Sequence, residues 1–175
     1  MKSYPKCANN QDDNLEYFKG FYMNSFVETD KNFILNPQLE QETLVVGDFL
    51  FSHVLLMDDR RFPWLILVPK RNGITELTDL TEDEAHVLMD EVRLTQSVLH
   101  TLRDPDKLNV ATLGNSVPQL HIHVIARFIS DAAWPNPVWG VGNPESYPAH
   151  TAQIFIDSLR DAFKSREVSW ISGRP

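Results

Sequence analysis

Two histidines, His121 and His123, stand two residues apart in the run VPQLHIHVIARF at 117–128, and Gln119 precedes them by the same step. A neutral imidazole at pH 7 carries one lone pair and one N–H, so it can act as nucleophile, acid–base group or metal ligand. Leu120, Ile122, Val124 and Ile125 fill the intervening and following positions, and that alternation predicts a β-strand. Side chains at i, i+2 and i+4 of a strand share a face. One amide and two imidazoles are therefore expected on one side, with an apolar row buried on the other. The preceding Leu113-Gly114-Asn115-Ser116 supplies a turn and two short polar side chains beside that row.

Three chemistries stay open at this point. One imidazole can be a nucleophile, giving acyl transfer on a carbonyl or a phosphohistidine on phosphorus. Phosphorus is favoured because Asn109, Asn115, Ser116 and Gln119 are neutral hydrogen-bonding groups suited to charge on equatorial oxygens. Alternatively His121 and His123 bind a metal, which needs a third ligand such as His53, His150 or Asp131, and no spacing singles one out. In the third reading the histidines are structural, as half-buried hydrogen-bonded histidines commonly are, and a tryptophan-rich loop makes the protein a binding module.

The elements that must position these residues are legible in part. The triplet at 33–35 reads as a short strand, and Asn36-Pro37 stops it, with Pro37 suited to the first position of a short helical turn to Glu42. The apolar runs 49–57 and 63–68 flank the polar turn Asp58-Asp59-Arg60-Arg61 and predict antiparallel neighbours. Residues 64–68 lack polar alternation, which places that strand centrally with both faces covered. Thr81-Glu82-Asp83-Glu84 is a capping box opening a long helix, with Ala85, Leu88, Met89, Val92, Leu99 and Leu102 as its apolar stripe. Residues 107–113 form the next strand. Trp134, Trp139 and a dense set of prolines and glycines between 134 and 148 predict an ordered loop across the body. Ala152, Phe155, Ile156, Leu159, Ala162 and Phe163 mark a second amphipathic helix. The fold class expected is α+β, with a mainly antiparallel sheet of about five strands, one long helix and one C-terminal helix.

The 175 residues suit one domain, divided as an N-terminal arm (1–30), a domain (31–165) and a C-terminal tail (166–175). A net charge of −8 argues against nucleic acid as a partner while leaving room for a small phosphorylated ligand. Cys7 is the only cysteine, so neither an intrachain disulfide nor a cysteine zinc site can form. No apolar run has the length of a membrane span, and the N-terminal residues lack that of a signal peptide, so a cytoplasmic location is expected.

The segment LGNSVPQLHIHVIAR resembles the signature strand of the histidine triad (HIT) family, His-Φ-His-Φ-His-Φ-Φ with Φ apolar. VLLMDDRRFPWLILVPKR and the Trp-Pro segment at 134–140 are similar to its bacterial branch resembling diadenosine-tetraphosphate hydrolases. The resemblance spans about residues 33–140 and implies a HIT-like fold, usually a homodimer paired edge to edge. It implies that His121, the middle position, attacks the α-phosphorus of a nucleotide, giving a nucleotidyl-histidine that water hydrolyses. His123 takes the third position, with Asn115 and Ser116 at the phosphate or leaving group, Asn109 at ribose or phosphate, and Asp58 at ribose. Gln119 stands where the family has its first histidine, and glutamine cannot carry a proton. The implied activity is hydrolysis of a nucleoside phosphoramidate or a dinucleoside polyphosphate, with no metal or other cofactor required. The alternative is a nucleotide-binding module with little turnover.

Overall fold

A computed structural model describes residues 27–166 and 171–172. The expectations for Cys7, for the arm up to residue 26 and for most of the C-terminal tail fall outside these residues. Asn36 opens α1 (Pro37–Glu42): its Oδ1 accepts the Gln38 amide at 2.9 Å, and Pro37 takes the first helical position. There follow β1 (Thr43–Asp48), β2 (Ser52–Met57), β3 (Trp64–Pro69), α2 (Glu82–Arg103), β4 (Lys107–Ala111), β5 (Ile122–Arg127), α3 (Ala149–Lys164) and the two-residue β6 (Ile171–Ser172). The strands pair antiparallel in the order β4-β5-β3-β2-β1-β6. The architecture is thus the α+β, antiparallel one expected, with β6 adding a short edge.

Several elements form for the reasons the sequence gives. Every residue of β3 is buried, as a central strand with no polar alternation requires. At the start of α2 the Thr81 hydroxyl accepts the Glu84 amide, and the Glu84 carboxylate accepts the Thr81 amide at 2.8 Å. That helix stops at Asp104, which turns left-handed at φ 43° before Pro105. In α3 the buried set is Ala152, Phe155, Ile156, Leu159 and Phe163, with Ala162 packed at the margin.

Three expectations need correction. Residues 33–35 form no strand. They run as extended chain caught by side-chain amides, with the Ile34 N–H donating to Asn72 Oδ1 at 3.1 Å. The first strand is β1 instead, where a register shift between Val45 and Gly47 interrupts the alternation that would have announced it. The buried face of α2 is also rotated: Met89 is exposed, whereas Glu91 and Thr95 are buried. Glu91 is tolerated there because its Oε1 accepts the Phe51 amide at 2.8 Å, although Oε2 has no hydrogen-bond partner among the described residues.

The sheet separates two apolar clusters. Leu120, Ile122 and Val124 join the cluster under α2 and α3, which also holds Leu65, Leu67, Val98 and Phe155. On the opposite face Trp64, Ile66, Val68 and Ile125 are covered by Leu39 of α1 and by Ala133 and Val138 of the loop after β5. Alternation along β5 thus sends its even-numbered residues toward the helices. Of its odd-numbered ones, His123 and Ile125 lie under a strap of chain.

Candidate active site

His121 immediately precedes β5 and His123 lies within it, paired with Ile66 of β3 and Ala111 of β4. Their rings meet edge to face with centroids 4.7 Å apart, and each residue is only 4% exposed. The strand expected from Gln119 begins only at Ile122, because Gln119 is drawn off to the 34–36 segment. Its Oε1 accepts the Asn36 amide at 2.8 Å and its Nε2 donates to the Ile34 carbonyl at 3.0 Å. The carboxamide is spent on backbone.

Hydrogen bonds fix where each imidazole carries its proton. His121 Nδ1 lies 2.7 Å from the Gln119 carbonyl oxygen, which can only accept. The N–H is therefore at Nδ1, and the lone pair is at Nε2, which has no hydrogen-bond partner among the described residues. His123 Nδ1 faces the indole N–H of Trp64 at 3.0 Å. Indole is donor-only, so Nδ1 carries a lone pair and the proton sits at Nε2. Burial, followed by the neighbouring His121, pushes His123 down to about 3, so this ring is neutral at physiological pH.

Aromatic rings build the surroundings. Trp139, from the strap, packs edge to face on both His123 (5.3 Å) and Trp64 (5.5 Å). Trp64 and Trp139 also line a cavity of about 360 Å³, together with Met57, Asp58, Asp59, Arg61 and strap residues such as Val138. His121 and His123 do not line that cavity, but both tryptophans that do also pack on His123. Arg61 holds the strap by donating to the Val141 carbonyl at 2.7 Å, and Arg60 pairs with Glu145 at 2.8 Å.

The remaining sequence candidates are dispersed. Asp58 borders the cavity, and its Oδ1 accepts the Tyr147 amide at 2.8 Å. Asn109 shares the histidine face, yet its Oδ1 accepts from Arg127. Asn115 and Ser116 sit on an exposed bend and make no side-chain hydrogen bond to a described residue. Sequence reading treats Trp64 as core, because an unbroken apolar run hides what its N–H does. Arg127, at the end of β5, is 2% exposed and engaged by Asp131, Asn109 and the Asn136 carbonyl.

For a metal, two imidazoles need a third ligand. Among the described residues no group of three His, Cys, Asp or Glu comes together. His53 is paired with Asp48, and Asp131 with Arg127. Among the same residues no helix is long and apolar enough to cross a membrane.

The HIT domain family matches residues 38–129. A histidine triad protein from Bradyrhizobium japonicum is 44% identical, with a TM-score of 0.73 over 75% of this chain and 98% of that one. Similar structures come from Sinorhizobium meliloti 1021 (39% identity, TM-score 0.74, 75% of this chain and 97% of the other) and Marinobacter aquaeolei VT8 (38%, 0.74, 76% and 97%). No curated protein matches the chain. A HIT domain match over more than half the chain, joined to these structures that align over three quarters of it, makes this chain a member of the HIT domain family.

Proposed function

We propose that the protein is a nucleotide hydrolase of the diadenosine-tetraphosphate hydrolase-like branch. In this reading it cleaves a nucleoside phosphoramidate or dinucleoside polyphosphate at the α-phosphorus through a nucleotidyl-His121 intermediate. The observation that carries the reading is the hydrogen bond from His121 Nδ1–H to the Gln119 carbonyl, which leaves the Nε2 lone pair available.

The steps balance without a metal. Nε2 forms a bond to the α-phosphorus while the bond to the leaving group breaks, and the departing atom keeps that electron pair. The ring is then cationic, and the Gln119 carbonyl accepts from its remaining N–H. Water next attacks phosphorus, the P–Nε2 bond breaks with its pair returning to nitrogen, and the water proton passes to solvent. His123, with its proton at Nε2, serves as a neutral hydrogen-bond donor near the phosphoryl oxygens. Asp58 and Trp139 border the space offered to the nucleoside, and Asn115 and Ser116 are exposed near the turn to the leaving group. Asn109 sits on the same face toward the ribose or phosphate. The outer edge of β4 is where a second copy pairs in a homodimer, and the working compartment is the cytoplasm.

A second reading, nucleotide binding with little turnover, has one observation in its favour: both ends of the Gln119 carboxamide are hydrogen-bonded to the backbone at 34–36, and its side chain has no titratable proton. Nucleoside monophosphate release from diadenosine tetraphosphate, followed for the wild type and for His121→Ala, separates the two. The hydrolase reading expects turnover that falls by at least about 10³-fold in the variant while nucleotide affinity persists. Tight binding with no release by the wild type rejects it.

A further inference from the structure

We propose that Trp64 is a positioning residue that locks His123 as a neutral Nε2–H donor, leaving the site without an acid to protonate a departing group. The inference deepens the hydrolase reading, and its second half rests on that reading. Two observations carry it. The indole Nε1–H of Trp64 points at His123 Nδ1 across 3.0 Å, and indole has no acceptor with which to receive a proton from the ring. Protonating His123 would set N–H against N–H in a buried place. Gln119, at the remaining triad position, has no titratable proton and both ends of its carboxamide are already held.

The groups packed on His123 reinforce the lock. From β3 comes Trp64, from the strap Trp139, from β4 the register partner Ala111, and from its own chain His121. Of these only His121 is ionisable, and a positive charge on it would oppose a second one alongside. Burial disfavours the imidazolium further.

The consequence falls on the leaving group. When Nε2 of His121 attacks phosphorus, the pair from the broken bond stays with the departing atom. A polyphosphate oxygen accepts that pair readily, since phosphate protons are lost at about pH 6 and the group leaves as an anion. An alkylamine does not: its nitrogen must gain a proton as the P–N bond breaks, and neither neutral His123 nor Gln119 is acidic enough to supply one. The site is therefore selective for leaving groups that depart as stable anions, and P–N substrates of basic amines are poor ones.

Nitrogen-15 spectra of the histidine side chains between pH 5 and 8 test the lock without any substrate. The expected His123 pattern is one neutral tautomer protonated at Nε2, unchanged across the range. In Trp64→Phe, which keeps the ring packing and removes the donor, a mixture of tautomers replaces it. A wild-type His123 protonated at Nδ1, or cationic near pH 6, overturns the proposal. So does a Trp64→Phe spectrum identical to the wild type; if that variant does not fold, the wild-type titration decides alone. Turnover supplies the second arm, with diadenosine tetraphosphate set against an adenosine phosphoramidate of a primary alkylamine. A general acid is worth about 10²–10⁴-fold, so kcat/KM should favour the polyphosphate by at least about 10²-fold. Equal rates, or preference for the amine, overturn the leaving-group half. No turnover of either compound rejects the hydrolase reading, and the nitrogen spectra still decide the lock.

Discussion

Arg127 and Asp131 form a buried two-pronged ion pair, Nε to Oδ2 at 2.7 Å and Nη2 to Oδ1 at 3.0 Å, with side chains 2% and 3% exposed. The same guanidinium reaches Asn109 on β4 and the Asn136 carbonyl, so one side chain joins two strands to the strap. Removing one member of a buried pair strands the other charge and costs about 3–5 kcal/mol. Asp131→Ala should therefore lose that much stability in urea unfolding, far more than an exposed substitution. Burial alone pushes the Asp131 carboxyl up, but Arg127 and the amides of Phe128 and Ala133 outweigh it and hold it below 3.8. A lowered carboxylate stabilises the fold above its unfolded-state value, and the benefit is lost as pH falls through the folded one. The gap between wild type and Asp131→Ala should accordingly narrow below about pH 4.

Glu91 has the opposite sign. Burial pushes its carboxyl up to about 7, so the folded state holds the proton more tightly than the unfolded chain does. Its stability contribution is unfavourable and grows as pH rises from about 4.3 toward 7. Glu91→Gln should match the wild type near pH 4 and exceed it by about 1–3 kcal/mol at pH 8, read as urea midpoints at the two values.

Much of the frame is legible in residue types. The capping box at Thr81, the stripe of α3 and the wholly apolar β3 each follow from spacing alone. The bulge in β1 is not legible, because an extra residue breaks the period-2 pattern through which a strand is recognised. Residues 33–35 mislead for a related reason: three apolar residues suggest a strand, but Gln119 and Asn72 occupy their backbone groups in place of a ladder. At the site, the two-residue spacing of His121 and His123 is informative. The Trp64 contact is not, since hydrophobic patterning treats tryptophan as apolar bulk and is blind to its donor. Arg127 escapes notice because its partner follows a turn and its surroundings come from a loop.

Trp139 joins the cavity to the histidines, lining the one and packing on His123. Trp139→Ala should raise KM for a nucleotide substrate about tenfold, equivalent to ~1.4 kcal/mol, and shift kcat far less. Steady-state kinetics on one substrate read both.

Gln119→Ala should release the chain at 34–36. Faster amide hydrogen exchange at Asn36 is the expected sign, with a cost of about 1 kcal/mol per lost hydrogen bond. Unchanged exchange there would mean that other contacts hold the segment.

The proposed nucleophilic role of His121 is tested most directly by rapid base quench of the wild type during turnover of labelled diadenosine tetraphosphate, followed by peptide mapping. A nucleoside monophosphoryl group on the peptide carrying His121, base-stable, acid-labile and absent from His121→Ala, is the result predicted. Label on a different residue, or full turnover by His121→Ala, would contradict it.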